Sequence, residues 1–221
     1  MKKPNGLCLF RNEHIACIIT GLVKKSRNRK TGPMLQVWII PLKSPMLIQN
    51  QSLVCGDCKL MPKRCYVNKG HSVLAVHEAF LRGLYPDASA QDWALLQGKA
   101  IRFGAWGDPS FVPVAIWNKL AELASLRSGY THQWNKPWAQ GLIDLVMASV
   151  DSAEEQFQAA KMGWRTFRIR PTSQGVLFPD EIVCPSESRG SKCAECGLCN
   201  GAQSRAKSIV ITAHGSGKGD F

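Results

Sequence analysis

The sequence predicts an α/β fold: a partial or distorted (β/α) barrel led by an N-terminal β-hairpin and interrupted by two cysteine-rich loops. Three observations predict it. From Lys99 onward, short apolar runs alternate with longer amphipathic ones, the pattern of a parallel sheet covered by crossover helices. Before that, two apolar stretches flank a basic, turn-rich segment, the pattern of a hairpin. Seven of the nine cysteines fall in two close-spaced groups, which calls for a loop wrapped round something at each. At 221 residues the chain reads as one domain over 1–221, with 1–50 as a basic β-hairpin segment and 51–221 as a cysteine-bearing, barrel-like core.

Taken in order, Cys17–Val23 and Met34–Ile40 are the hairpin strands, rich in β-branched residues. A cysteine-bearing loop follows from Val54 to Gly70. Val73–Leu84 then carries apolar residues at helical spacing and stops at Tyr85-Pro86-Asp87. The expected strands of the second half are Ala100–Ala105, Gly129–His132, Leu145–Val150, Arg165–Ile169 and Ser208–Ala213, with helices at Val112–Ala124 and Ser152–Met162. Asp151-Ser152 followed by Glu154 and Glu155 is a strong helix start, because acidic side chains satisfy free amides and complement the dipole. Gly163 ends that helix.

The apolar fraction of 45% and charged fraction of 20% are those of an ordinary globular protein, and no apolar run approaches the roughly 18 residues of a membrane span. The basic N-terminus lacks a long apolar stretch and a small-residue cleavage site, so a secreted protein is not expected and the cytoplasm is. In that reducing compartment clustered cysteines point to metal rather than disulfides. The net charge of +12 is uneven: residues 1–50 hold nine Lys or Arg against the single acid Glu13, a balance of +8. Its densest piece, Lys24, Lys25, Arg27, Arg29 and Lys30, reads as a basic hairpin tip. It is either a solvated loop or a candidate contact for nucleic acid, which basic surfaces bind by releasing counterions from phosphate.

The C-terminal cysteines Cys184, Cys193, Cys196 and Cys199 have the spacing C-x8-C-x2-C-x2-C. Two successive C-x2-C steps curl the backbone round a compact centre, as ferredoxin-type loops do. Four thiolates complete one site, so the expected cofactor is an iron–sulfur cluster of the [4Fe-4S] type. Zinc is the alternative, although zinc ribbons usually supply two separated C-x2-C knuckles. The earlier group, Cys55, Cys58 and Cys65, has the spacing C-x2-C-x6-C and leaves one position open to substrate or to a ligand such as His71, Cys8 or Cys17. Cys8 and Cys17 read more simply as buried apolar residues.

Chemistry in parallel α/β folds gathers at the carboxyl ends of the strands. Those ends carry Asp108, Thr131-His132, Asp151, Arg168 and Arg170, and His214. Asp108, His132, Asp151 and His214 are therefore the candidate catalytic residues, with either histidine able to transfer protons near neutrality. Read structurally instead, Asp108 starts a turn, Asp151 caps a helix, and the histidines are satisfied polar groups.

The order C-x2-C-x6-C-Y, Arg102-Phe103-Gly104-Ala105-Trp106-Gly107-Asp108, Gly129-Tyr130-Thr131-His132, Ala148-Ser149-Val150-Asp151, Cys184-Pro185 with the cysteine cluster, and Ala213-His214-Gly215 resembles the "gene product 88" family of phage and mobile-element proteins. The resemblance covers most of residues 55–215. It implies metal binding, a barrel-like fold and a phage or mobile-element origin, hence the cytoplasm of a bacterial host, without implying a reaction. Two functions compete. One is a redox or radical-type enzyme acting on a small-molecule substrate. The other is a non-enzymatic accessory protein that uses its basic face on nucleic acid or a host protein. A zinc hydrolase ranks last, because the chain lacks a His-Glu-x-x-His pair or a dense carboxylate cluster.

Overall fold

The structure, a computed structural model, describes residues 3–203 and 206–214. Nine strands form one sheet in the order β1-β2-β3-β4-β5-β6-β7-β9-β8. The first three are an antiparallel meander: β1 (Gly6–Arg11), β2 (Ile15–Thr20) and β3 (Leu35–Pro41). The predicted hairpin is thus present as β2 and β3, in a register that runs from Ile15 opposite Pro41 to Thr20 opposite Gln36. All of β2 and β3 is buried. β1 was not expected, because Leu7 to Phe10 is a short apolar run with no clear alternation.

β3 pairs in parallel with β4 (Ala100–Trp106), and the parallel sheet continues through β5 (Leu126–Thr131), β6 (Met147–Val150), β7 (Thr166–Arg170) and β9 (Ser208–Thr212). All five strands expected after Lys99 are found, with ends displaced by at most three residues. The sixth, β8 (Glu181–Val183), is a three-residue edge strand parallel to β9, too short to register as a pattern.

Helices α1 (Ile48–Cys55), α2 (Leu74–Leu81), α3 (Val114–Leu123) and α4 (Ala153–Lys161) connect the strands. α3 packs Trp117 against Phe103 of β4, with ring centroids 4.9 Å apart. That contact assigns the two sides of the first part of β4: Ile101 and Phe103 face the helix layer, and the alternate residue Arg102 faces the other way. α1 had no counterpart among the expected elements; its last two residues, Val54 and Cys55, fall in the expected cysteine-bearing loop, and it ends at the first cysteine of its group. Two one-turn helices, α5 (Pro185–Ser188) and α6 (Cys193–Cys196), build the C-terminal cysteine segment.

The sheet is not closed. A barrel requires its first and last strands to pair, whereas here β1 and β8 are the two ends of the strand order. The outer edge of β1 is instead covered by residues 86–88: the Cys8 amide donates to the Pro86 carbonyl at 2.9 Å, and the Ala88 amide to the Cys8 carbonyl at 2.8 Å. Covering an edge in this way removes its open ladder positions without closure. Among the described residues, no helix is long and apolar enough to cross a membrane.

Candidate functional site

The C-terminal cysteine segment is assembled by backbone contacts from both ends of the chain. β8 runs into Cys184, whose amide donates to the Val210 carbonyl at 2.8 Å. Pro185 then opens α5, where a residue lacking an amide hydrogen is tolerated. Glu187 fastens this helix to the sheet, accepting from the Thr212 amide and hydroxyl at 2.7 Å each and from Arg170 at 2.9 Å. α6 is fastened to the basic segment: the Cys193 amide donates to the Lys30 carbonyl at 2.9 Å, and the Ala194 amide to the Thr31 carbonyl at 3.1 Å.

Beyond α6 the chain turns under β5 and β6. Buried Arg165 donates to the carbonyls of Leu198, Gly201 and Lys207 and to the Asn200 side chain, at 2.7 to 3.1 Å. The Gly129 amide donates to the Cys199 carbonyl at 3.1 Å. Gly201 is obligatory at its position. Its φ is +91°, and a β-carbon there would lie 2.3 Å from the Asp144 carbonyl carbon.

This scaffold turns Cys184, Cys193, Cys196 and Cys199 toward one small cavity of about 20 Å³, walled also by Ser128, Tyr130 and Leu198. Burial raises the thiol pKa values of Cys184 and Cys193. Burial likewise pushes Cys199 up to about 12, against a hydrogen bond from the Tyr130 hydroxyl that favours the thiolate. Neighbouring thiols add to all three shifts, which disfavours the thiolate at Cys184, Cys193 and Cys199. Among the described residues, no group of three or more His, Cys, Asp or Glu side chains is arranged to hold a metal ion. The four cysteines share a cavity, not a coordination sphere.

The earlier group lies at the carboxyl end of α1. Gly56 caps that helix at φ +54°, with Gln133 and Phe111 so close (2.7 to 2.8 Å from a β-carbon) that no side chain fits. Cys55, Cys58 and Cys65 line a second cavity of about 70 Å³ together with Tyr66, Lys69, Asp108, Tyr130 and His132. Burial raises the Cys55 and Cys65 thiols and pushes Cys58 up to about 12. His71 is exposed, and Cys8 and Cys17 are buried within β1 and β2. The latter two are core residues, with Cys8 raised by burial to about 11.

The four candidate catalytic residues stand at strand ends, as the sequence implied, but they do not share one pocket. Asp108 and His132 line the second cavity. The Asp108 carboxylate accepts from the Ser110 amide (3.0 Å), the Thr131 hydroxyl (2.7 Å) and the His132 amide (2.7 Å), which braces the ends of β4 and β5. His132 keeps a buried Nε2 with no hydrogen-bond partner among the described residues. Burial lowers its pKa, and Asp108 and Asp151 oppose that. Asp151 is outside the cavity lining, its carboxyl raised by burial and lowered by His132. His214 lines a third cavity of about 160 Å³, with Nδ1 2.8 Å from the Thr212 carbonyl and its ring 5.8 Å from that of Tyr66. Gly215, part of the same motif, lies outside the described residues.

Arg168 and Arg170 turn out to be bracing residues. Arg168 forms a two-pronged ion pair with buried Glu181 at 2.6 and 2.8 Å, and Arg170 pairs with Glu187. Sequence reasoning missed Tyr66 and Arg102, which stand between the cavities. The signal for Arg102 was present: a lone charge in the middle of the apolar strand Ala-Ile-Arg-Phe-Gly-Ala-Trp. Of the basic segment, Lys24, Lys25, Arg27 and Arg29 are exposed, and Lys30 is half-buried beside the cysteine segment.

Comparison with protein-family models, curated proteins and solved structures returned no significant match, so the family resemblance rests on the quoted residues alone.

Proposed function

We propose that this chain is an iron–sulfur protein, with a [4Fe-4S]-type cluster held by Cys184, Cys193, Cys196 and Cys199. The carrying observation is that four cysteines distant by up to 15 positions, one buried and three half-buried, line one small cavity with no charged side chain among the described residues of its lining. The donor set is thiol only, which suits iron–sulfur or zinc. The two successive C-x2-C steps favour iron–sulfur over zinc, whose ribbons usually supply two separated knuckles. A bound cluster would supply electron transfer.

The chain's own residues would serve that centre in distinct ways. Tyr130 lines the cavity with Cys199 and lowers its thiol pKa, which would favour negative charge on sulfur. Arg165 holds the loop by its carbonyls. Cys55, Cys58 and Cys65 would hold a second, open centre facing His132, whose unpartnered Nε2 can take up or release a proton at a molecule in that cavity. Asp108 positions His132 through its amide. On this reading the protein is a cytoplasmic redox or radical-type enzyme of the "gene product 88" type, its sheet curved as a partial, open barrel with the cysteine loops at the strand carboxyl ends.

The test is anaerobic purification with iron, sulfide and zinc analysis and a visible spectrum. Brown protein with about four iron and four sulfide per chain supports the reading, and Cys196→Ser should lose most of that iron. Colourless protein carrying zinc, or Cys196→Ser with full iron content, would overturn it.

A further inference from the structure

Three other buried arginines are each held by several acceptors or by a carboxylate. Arg168 has Glu181, Arg170 has Glu187, and Arg165 has four oxygens. Arg102 is the exception. It is 9% exposed, pairs with no carboxylate among the described residues, and makes a single long hydrogen bond, 3.4 Å to the Tyr66 hydroxyl. Its remaining donors are unused among the described residues and line the cavities beside it, the arrangement in which a guanidinium fork can receive an anion.

The space beside Arg102 is large enough for one. On one side a cavity of about 500 Å³ lies beneath the basic segment, lined by Lys24, Arg27, Gln36, Trp38 and Tyr66. On the other is the 160 Å³ cavity of Lys30, His214, Cys184 and Cys193. Arg102, Tyr66 and Asn28 line both, so the two join at Arg102. Among the described residues, neither lining contains an aspartate or glutamate. The larger volume falls in the range of small-molecule sites, about 300 to 1,000 Å³.

We propose that this cleft binds a small anionic molecule whose phosphate or carboxylate group is received by Arg102, with Lys24 and Arg27 adding charge from the basic segment and Trp38 and Tyr66 flanking the rest. Arg102 is placed for two-pronged recognition because its fork is anchored at one prong only, on Tyr66. The basic segment then belongs to a ligand cleft of its own chain. This site stands on the cavity and on Arg102, independently of any cluster. A rival role for Arg102 is to balance negative charge on Cys193, whose thiol it lowers.

The experiment titrates the full-length, anaerobically purified chain with pyrophosphate and, separately, citrate at constant ionic strength, following heat of binding and melting temperature. Saturable binding of either probe is expected, with affinity at least tenfold weaker in Arg102→Gln and several-fold weaker in the Lys24→Gln/Arg27→Gln double variant. Pyrophosphate alone binding would assign a phosphate-bearing ligand, and citrate alone a carboxylate-bearing one. No saturable binding of either, or full affinity in Arg102→Gln, would overturn the site. Should Arg102→Gln fail to fold, the double variant decides, both of its residues being exposed: unchanged affinity there overturns the proposal. Iron loss in Arg102→Gln with unchanged affinity in the double variant would assign Arg102 to the sulfur centre instead. A colourless chain that still binds the probe would keep this site and remove only the cluster.

Discussion

Arg165, Gly201 and His132 show how single residues divide between building the site and serving it. Arg165 satisfies three carbonyls that the cysteine segment would otherwise bury unpaired. Arg165→Met should cost about 3 kcal/mol of unfolding free energy, since buried acceptors then lose charge-assisted bonds; the denaturant midpoint measures it. Gly201→Ala combines a positive φ with backbone overlap at Asp144, so soluble yield should fall sharply, with a cost of about 3 kcal/mol from conformation alone at its upper end. His132 differs. Its Nε2 has nothing to lose, and His132→Phe should leave stability within about 1 kcal/mol of the parent. A loss of several kcal/mol on thermal or urea unfolding would instead make the ring structural.

At the scale of elements, the start of α4 was the most legible part of the sequence and behaves as expected. The Ser152 hydroxyl accepts from the Glu155 amide at 3.1 Å while Glu155 accepts from the Asp151 amide at 2.8 Å, a reciprocal cap. Glu155 also pairs with Lys59 of the first cysteine segment, tying α4 to it. Burial raises the Glu155 pKa, but the Lys59 and Asp151 hydrogen bonds outweigh it, and the net shift is downward. A depressed carboxyl stabilises the folded state above its unfolded pKa, near 4.3, and that contribution fades as pH falls through the folded value. Glu155→Gln should therefore be less stable than the parent at pH 7 by about 1 kcal/mol, and the difference should shrink below about pH 4. Urea midpoints for both chains across that range would show it; a constant gap would mean the charge is irrelevant. The other side of the same element logic is α5 and α6. Each is a single turn, below the length at which periodicity is readable, and each exists because sheet and basic segment supply its hydrogen bonds.

Across the whole molecule, the N-terminal basic segment and the C-terminal cysteine segment are one assembly, joined through the carbonyls of Lys30 and Thr31. If the four thiols close on a centre, removing it by oxidation and chelation should loosen both segments together. Limited proteolysis is expected to cut faster within residues 21–33 and 189–203 of the stripped protein, with the sheet left intact. Cutting confined to one of the two segments would show that they do not depend on each other.

The sequence by itself determined the α/β class, the β2–β3 hairpin, the five later strands and the placing of Asp108, His132, Asp151 and His214 at strand ends. These follow from local period, turn chemistry and capping, which act over a few residues. Only the tertiary structure decided that the sheet stays open, that β1 and β8 bound it, and that Asp108 and His132 line one cavity, His214 another, and Asp151 neither. It also decided the partners of each arginine. Arg102, Arg165, Arg168 and Arg170 are alike as letters in or beside a strand. What separates the three braces from Arg102 is whether packing brings acceptors to the guanidinium, from Glu181 and Glu187, 13 and 17 positions on, to Lys207, 42 positions away.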